Sequence, residues 1–124
     1  MTVVLLSLAG GLGAVCRLVV DGAARARWGR GFPYGTLVIN VGGSLLLGLL
    51  SGLVLFHGVP TALRSVLGTG FCGGYTTFST ASFETVRLIQ ERRPVAAVLN
   101  GAGSLVLTVL AGGLGLLLAG AATR

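Results

Sequence analysis

Three sets of polar residues stand in otherwise apolar sequence, and their types define the chemistry open to this chain. Asn40 follows Thr36 by one helical turn, and an amide in such surroundings must face protein or a polar path, not lipid. Asn100, Ser104 and Thr108 repeat every four residues, which puts all three on one face of a helix. Such a stripe serves either interhelical hydrogen bonding or a conduction route. The third set is the run Gly70-Phe71-Cys72-Gly73-Gly74-Tyr75-Thr76-Thr77-Phe78-Ser79-Thr80-Ala81-Ser82, where paired glycines followed by hydroxyls make a poor helix. A break is expected near Gly73 to Thr76. At membrane depth, freed N–H and C=O groups cost roughly several kcal/mol each, so a break there must be buried by protein or line a cavity. Exposed carbonyls would suit a cation and a half-helix N-terminus an anion; a glycine kink healed by hydroxyls is the alternative.

The sequence offers no reactive group of the usual kinds. It has no Ser-His-Asp set, no metal-ligand cluster and no phosphate-binding loop, and its single histidine, His57, falls in a turn. Cys16 and Cys72 are too few for a disulfide framework and read as small buried side chains. No enzyme reading survives. The first, second and fourth apolar stretches also contain no Asp or Glu, so a proton-coupled carrier such as a small multidrug resistance transporter has no carboxylate there to use. Glu84 lies near the end of the third stretch with Arg87 three residues on, a spacing that suits an ion pair or a helix-end contact.

Membrane helices must position these residues. The 124 residues are 53% hydrophobic and 10% charged, where an ordinary soluble domain is about 25% charged. Mean hydropathy is +0.93. The 22 glycines fit membrane helices, in which glycine lets backbones approach closely. Disorder, collagen, coiled coil and a soluble domain are excluded. A membrane helix needs about 20 mostly apolar residues, and four stretches qualify: Val3 to Val20, Tyr34 to Phe56, Thr61 to Ile89, and Val95 to Ala119. The expected fold is an all-α membrane protein, one domain of four transmembrane helices over residues 1–124 with the third helix broken.

All nine basic residues are arginines, giving a formal net charge of +6, and no soluble face gathers them for nucleic acid. Four crossings put both termini on one side. Arg17, Arg25, Arg27, Arg30, Arg87, Arg92 and Arg93 then fall with the loops after the first and third spans, against Arg64 and Arg124 with the termini. By the positive-inside rule this multi-pass chain of the cell membrane keeps those two loops in the cytoplasm and both termini outside. Trp28 and Tyr34 fit an aromatic belt at the same boundary. Lipid-headgroup binding or ligand steering is the other use of such a cluster.

A four-helix bundle this short fills its own interior with side chains, so a transport path needs an oligomer. Ser44, Gly48 and Gly52 in the second span, and Gly112 with Gly120 in the fourth, provide close-contact faces, either within one chain or between two.

Gly13-Ala14 with Arg17, then Phe32-Pro33-Tyr34-Gly35-Thr36-Leu37 running to Asn40, Gly43-Ser44 and Gly48, then Gly70-Phe71-Cys72-Gly73-Gly74 with Thr76-Thr77-Phe78-Ser79-Thr80 and Glu84, together resemble the CrcB/Fluc fluoride channels over nearly the whole chain. The resemblance implies an antiparallel, dual-orientation dimer of four-helix subunits, with two pores at the interface that export fluoride passively. It also implies a structural sodium ion (Na+) held centrally by backbone carbonyls. Carried over by motif, Asn40 is the pore amide, Phe78 the first aromatic lining fluoride, and Gly73 with Thr76 the sodium-binding carbonyls. Ser104 and Thr108 continue the polar track, which in some members starts with a tyrosine where this chain has Asn100. The residue types suit the ion: fluoride is small and strongly hydrated, and the amide of Asn40 with the hydroxyls of Thr36, Ser104 and Thr108 can replace its water. A phenyl ring presents a positive edge without a fixed charge that would trap the anion.

Two departures point the same way. The family pattern places a second phenylalanine three residues after the first, where this chain has Ala81; Phe83 is two residues on, about 200° around a helix. The second is the arginine bias, since one sequence inserts both ways only when its loop charges nearly balance. Both favour a heterodimer with an oppositely oriented paralogue that conducts only as a pair. A homodimer and a non-conducting structural or regulatory subunit are the competing readings.

Overall fold

The computed structural model describes residues 1–122, and these form helices joined by short turns: α1 (Thr2–Trp28), α2 (Tyr34–His57), α3 (Thr61–Arg64), a π-helical segment (Ser65–Cys72), α4 (Gly73–Tyr75), α5 (Phe78–Gln90) and α6 (Pro94–Ala121). Three of them, α1, α2 and α6, are long and apolar enough to cross a membrane. The stretch read as the third span is a chain of shorter pieces. Its glycines 73 and 74 are helical, and the extended backbone lies just beyond them, at Thr76 (φ −77°, ψ 160°) and Thr77 (φ −149°, ψ 118°).

Helix ends follow local chemistry. α1 runs through Arg25 and Arg27, expected in a loop, because Ala and Arg are strong helix formers. It stops at Gly29, whose φ of 77° suits a residue without Cβ. α2 ends on Gly58 in the left-handed conformation, with the cap N–H on the Leu53 carbonyl. Pro94 opens α6, where its missing N–H costs no hydrogen bond.

Glycine contacts give the direction of each helix. A Cβ on Gly70 would meet Ala9 and the Leu6 backbone, one on Gly13 the backbone of Phe71 and Tyr75, and Arg17 reaches Thr76, so α1 and the third-span pieces run parallel, backbone against backbone. Likewise Gly48 meets Gly112, Gly52 meets Ala119, and Gly120 meets the Phe56 ring, which makes α2 and α6 parallel. The small-residue faces of the second and fourth spans therefore close on each other within the chain. Asn40 bonds Thr77 while Ser51 bonds Arg64, so the third span runs against α2. This up-down order brings the turns after α1 and α5 together: Arg87 donates to the Arg30 carbonyl and Arg93 to that of Gly31.

Arg17 is elsewhere. It sits midway along α1, and its guanidinium reaches the Thr76 carbonyl at 3.4 Å, level with the interruption. It leaves the loop count at Arg25, Arg27, Arg30, Arg87, Arg92 and Arg93, with Arg64 at the other end and Arg124 outside the described residues.

Candidate functional site

An open cleft of about 600 Å³ lies between α2, the pieces of the third span and α6. Asn40, Gly73, Thr76, Phe78, Asn100, Ser104 and Thr108 all line it. Thr36 does not. It is buried one turn before Asn40 on α2, beyond the cleft lining, where its hydroxyl donates to Glu84 Oε1 at 2.6 Å. Glu84 is thus held by a neighbouring helix instead of by Arg87, whose ion-pair partner is Glu91 at 3.8 Å.

The wall at the interruption is built by Asn40. Its Nδ2 donates to the Thr77 carbonyl and its Oδ1 accepts from the Thr77 N–H, each at 2.9 Å. In an unbroken helix that N–H would close onto the Gly73 carbonyl, so the Asn40 bond frees a carbonyl on a cleft-lining residue. Thr76 completes the upstream end by donating its N–H and its hydroxyl to the Cys72 carbonyl, at 2.9 and 2.8 Å. Downstream, Thr77 is the N-cap of α5, its Oγ1 accepting from the Thr80 N–H at 3.2 Å. One amide hydrogen of Asn40 is left over. Phe78, 88% exposed, projects beside it at the first position of α5.

On the facing wall the three stripe residues differ. Asn100 is 1% exposed and uses both amide hydrogens within the chain, on Thr85 Oγ1 at 2.8 Å and on the Ala81 carbonyl at 3.3 Å. Its Oδ1 is buried without a partner, and Asn100 has no donor left for the cleft. Thr108 returns its hydroxyl proton to the Leu105 carbonyl at 3.0 Å. Ser104 makes no hydrogen bond among the described residues and keeps its donor free. So does Ser44, which lines the cleft one turn after Asn40 on α2. The i, i+4 spacing of Asn40 and Ser44 is the signal in the sequence that would have added Ser44 to the site. Thr77 carried no such signal, since it acts through its peptide group.

Ala81 lines the same cleft. Phe83 is 71% exposed and is not among the lining residues, as the 200° offset requires.

The family described as "CrcB-like protein, Camphor Resistance (CrcB)" matches residues 4–116. The fluoride-specific ion channel FluC 1 of Leifsonia xyli subsp. xyli is 56% identical over 122 residues, covering 98% of this chain and 89% of that protein. The fluoride-specific ion channel FluC 2 of Cutibacterium acnes is 50% identical over 95% of this chain and 97% of its own length. The fluoride-specific ion channel FluC of Syntrophotalea carbinolica is 46% identical over 96% of this chain and 98% of its own length.

Proposed function

The chain belongs to the CrcB-like family, and from that membership we propose that it is a subunit of a fluoride-specific ion channel, letting fluoride leave the cell down its gradient. It is a channel component and not an enzyme. The observation that carries this reading is the cleft itself, where uncharged donors converge on one space beside an exposed phenyl ring.

Fluoride holds its water tightly, so a path must offer hydrogen-bond donors in place of each water it strips. The spare N–H of Asn40 and the hydroxyls of Ser44 and Ser104 are such donors. Because Thr77 fixes the Asn40 amide from both ends, its remaining N–H is aimed before the ion arrives. Uncharged donors also let the ion go, which conduction requires. The edge of Phe78 contributes a weak positive potential of the same kind. Asn100 and Thr108 shape the track, and Thr36 holds Glu84 one turn beyond Asn40.

One chain provides half of a closed path. The reading is completed by a second subunit in the opposite orientation across the cleft, a paralogue in preference to a second copy; the ordinals in FluC 1 and FluC 2 fit such pairs. The freed Gly73 carbonyl and the Thr76 carbonyl would hold the structural sodium, whose charge would raise the local potential for an anion. Two oxygens are too few for a hard cation, so the partner must bring others. The turns after α1 and α5 are assigned to the cytoplasm and the termini to the outside of the cell membrane.

The test is fluoride efflux from liposomes, followed with an electrode, with chloride as control and with no proton gradient. This chain co-purified with an oppositely oriented homologue is expected to release fluoride and not chloride. A folded assembly that releases neither, alone or paired, would overturn the reading.

A further inference from the structure

Arg64 counts in the sequence only as a topological charge, yet it lines the cleft. It is the last residue of α3, at the end of the bundle where His57 bonds the Ala119 carbonyl, opposite the arginine-rich turns. Its Nε donates to Ser51 Oγ at 3.0 Å. Ser51 lies on α2 one turn beyond Leu47 and two beyond Ser44, both of which line the cleft, so the polar face that starts at Asn40 ends on this arginine. The stem passes Gly68, which has no side chain to push it away.

Among the described residues no acidic side chain pairs with this charge. There are three acidic residues in all. Asp21 pairs with Arg25 at 3.0 Å, Glu91 with Arg87 at 3.8 Å, and Glu84 with the Thr36 hydroxyl, all on the far side of the interruption. The terminal guanidinium nitrogens make no hydrogen bond among the described residues, so the Ser51 contact fixes the group while leaving its donors open to the cleft. An unpaired cation at a low-dielectric mouth is costly to keep and attracts anions from solution.

We propose that Arg64 is an anion-attracting residue at the mouth of the cleft opposite the arginine-rich turns, held in place by Ser51, and that it sets the rate at which fluoride passes that mouth. The inference rests on the fluoride reading above. Arg64 stands eleven residues of α2 from the Asn40 level, about 16 Å along the axis, so it acts on passage through the mouth and not on the binding step deeper in the cleft.

The assembly that conducts is reconstituted in liposomes of neutral lipid, with Arg64→Gln, Arg64→Lys and Ser51→Ala variants beside it. Initial fluoride flux is measured well below saturation, with sodium held constant and ionic strength varied. At about 0.01 M, where the Debye length is about 30 Å, Arg64→Gln is expected to lower flux by about three- to tenfold. Near about 1 M, where the Debye length is about 3 Å, the deficit should shrink below about twofold. Arg64→Lys should keep most of the flux, and Ser51→Ala should fall between them. Equal flux from Arg64→Gln at low ionic strength would overturn the inference while leaving the channel reading intact. A deficit that ionic strength does not move and that Arg64→Lys shares would overturn it too, by marking Arg64 as structural. A silent unsubstituted assembly would instead overturn the fluoride reading beneath it.

Discussion

The carboxamide of Asn40 and the peptide group of Thr77 exchange two hydrogen bonds of 2.9 Å each, so the residue that faces the cleft and the residue that interrupts the third span are one unit. An amide is the side chain that fits, because it alone presents a donor and an acceptor at the spacing of a peptide's own C=O and N–H. The interruption thus needs no water to satisfy the Thr77 peptide.

Replacing Asn40 separates flux from folding only in part. Asn40→Leu leaves a buried N–H and C=O unpaired, at a cost of about 1–3 kcal/mol each. Asn40→Asp keeps the acceptor and turns the donor into an oxygen facing the Thr77 carbonyl. Both variants should lose fluoride flux, and both should unfold at lower temperature in detergent. Flux surviving in either at the level of the unsubstituted protein would remove Asn40 from the pathway.

The closeness of α2 and α6 gives a second expectation. A Cβ at Gly48 would meet the Gly112 backbone, and one at Gly115 the backbone of Leu45 and Leu49, where nothing can yield without moving a helix. Overpacking of this kind costs about 1–3 kcal/mol or more. Gly42 and Gly113 have open space in the same place. Gly48→Val and Gly115→Val should therefore elute as aggregated or strongly destabilised protein, while Gly42→Ala and Gly113→Ala should match the parent in thermal stability.

The ends of two helices were legible from apolar length, Tyr34 opening α2 and Ala119 lying two residues before the end of α6, whereas α1 runs on from Val20 to Trp28 and the stretch from Thr61 to Ile89 is several pieces. The i, i+4 spacing likewise gave the shared face of Asn100, Ser104 and Thr108. Which hydrogens those side chains have left was not legible. Asn100 has no donor left for the cleft because Thr85 and the Ala81 carbonyl, from another helix, take its two N–H groups. Arg17 misled for a similar reason: its position in sequence says helix, and only the Thr76 carbonyl opposite says mid-depth. The glycine pair at 73 and 74 suggested where the backbone would open, yet Gly74 is there to meet Gly10, and the opening falls where Asn40 can bind it.

Thr36 and Glu84 form a buried contact that substitution can dissect. Thr36→Val is close in shape and removes the donor to Glu84 Oε1, leaving a nearly buried carboxyl group short of a partner. The expected loss is about 1.5–3 kcal/mol, as for a hydrogen bond to a charged group, read as a lower unfolding temperature. Thr36→Ser keeps the hydroxyl and should recover most of it. Equal stability in Thr36→Val and Thr36→Ser would mean the contact carries no energy.

Membrane orientation gives the last expectation. Without Arg17, the turns after α1 and α5 and the helix ends beside them still hold Arg25, Arg27, Arg30, Arg87, Arg92 and Arg93, against Arg64 and Arg124. A labelling reporter at the C-terminus should therefore find one orientation. Arg25, Arg27 and Arg30 are exposed, and the Asp21 pair with Arg25 is partly exposed, a kind worth about 0–1 kcal/mol, so all three can be changed to Gln with little loss of fold. That triple variant leaves three arginines against two, and it should insert both ways. If subunit direction is what prevents this chain from pairing with itself, the variant expressed alone should release fluoride where the parent does not. Dual insertion without flux would instead assign the block to the cleft, with Ala81→Phe as the next substitution to assay.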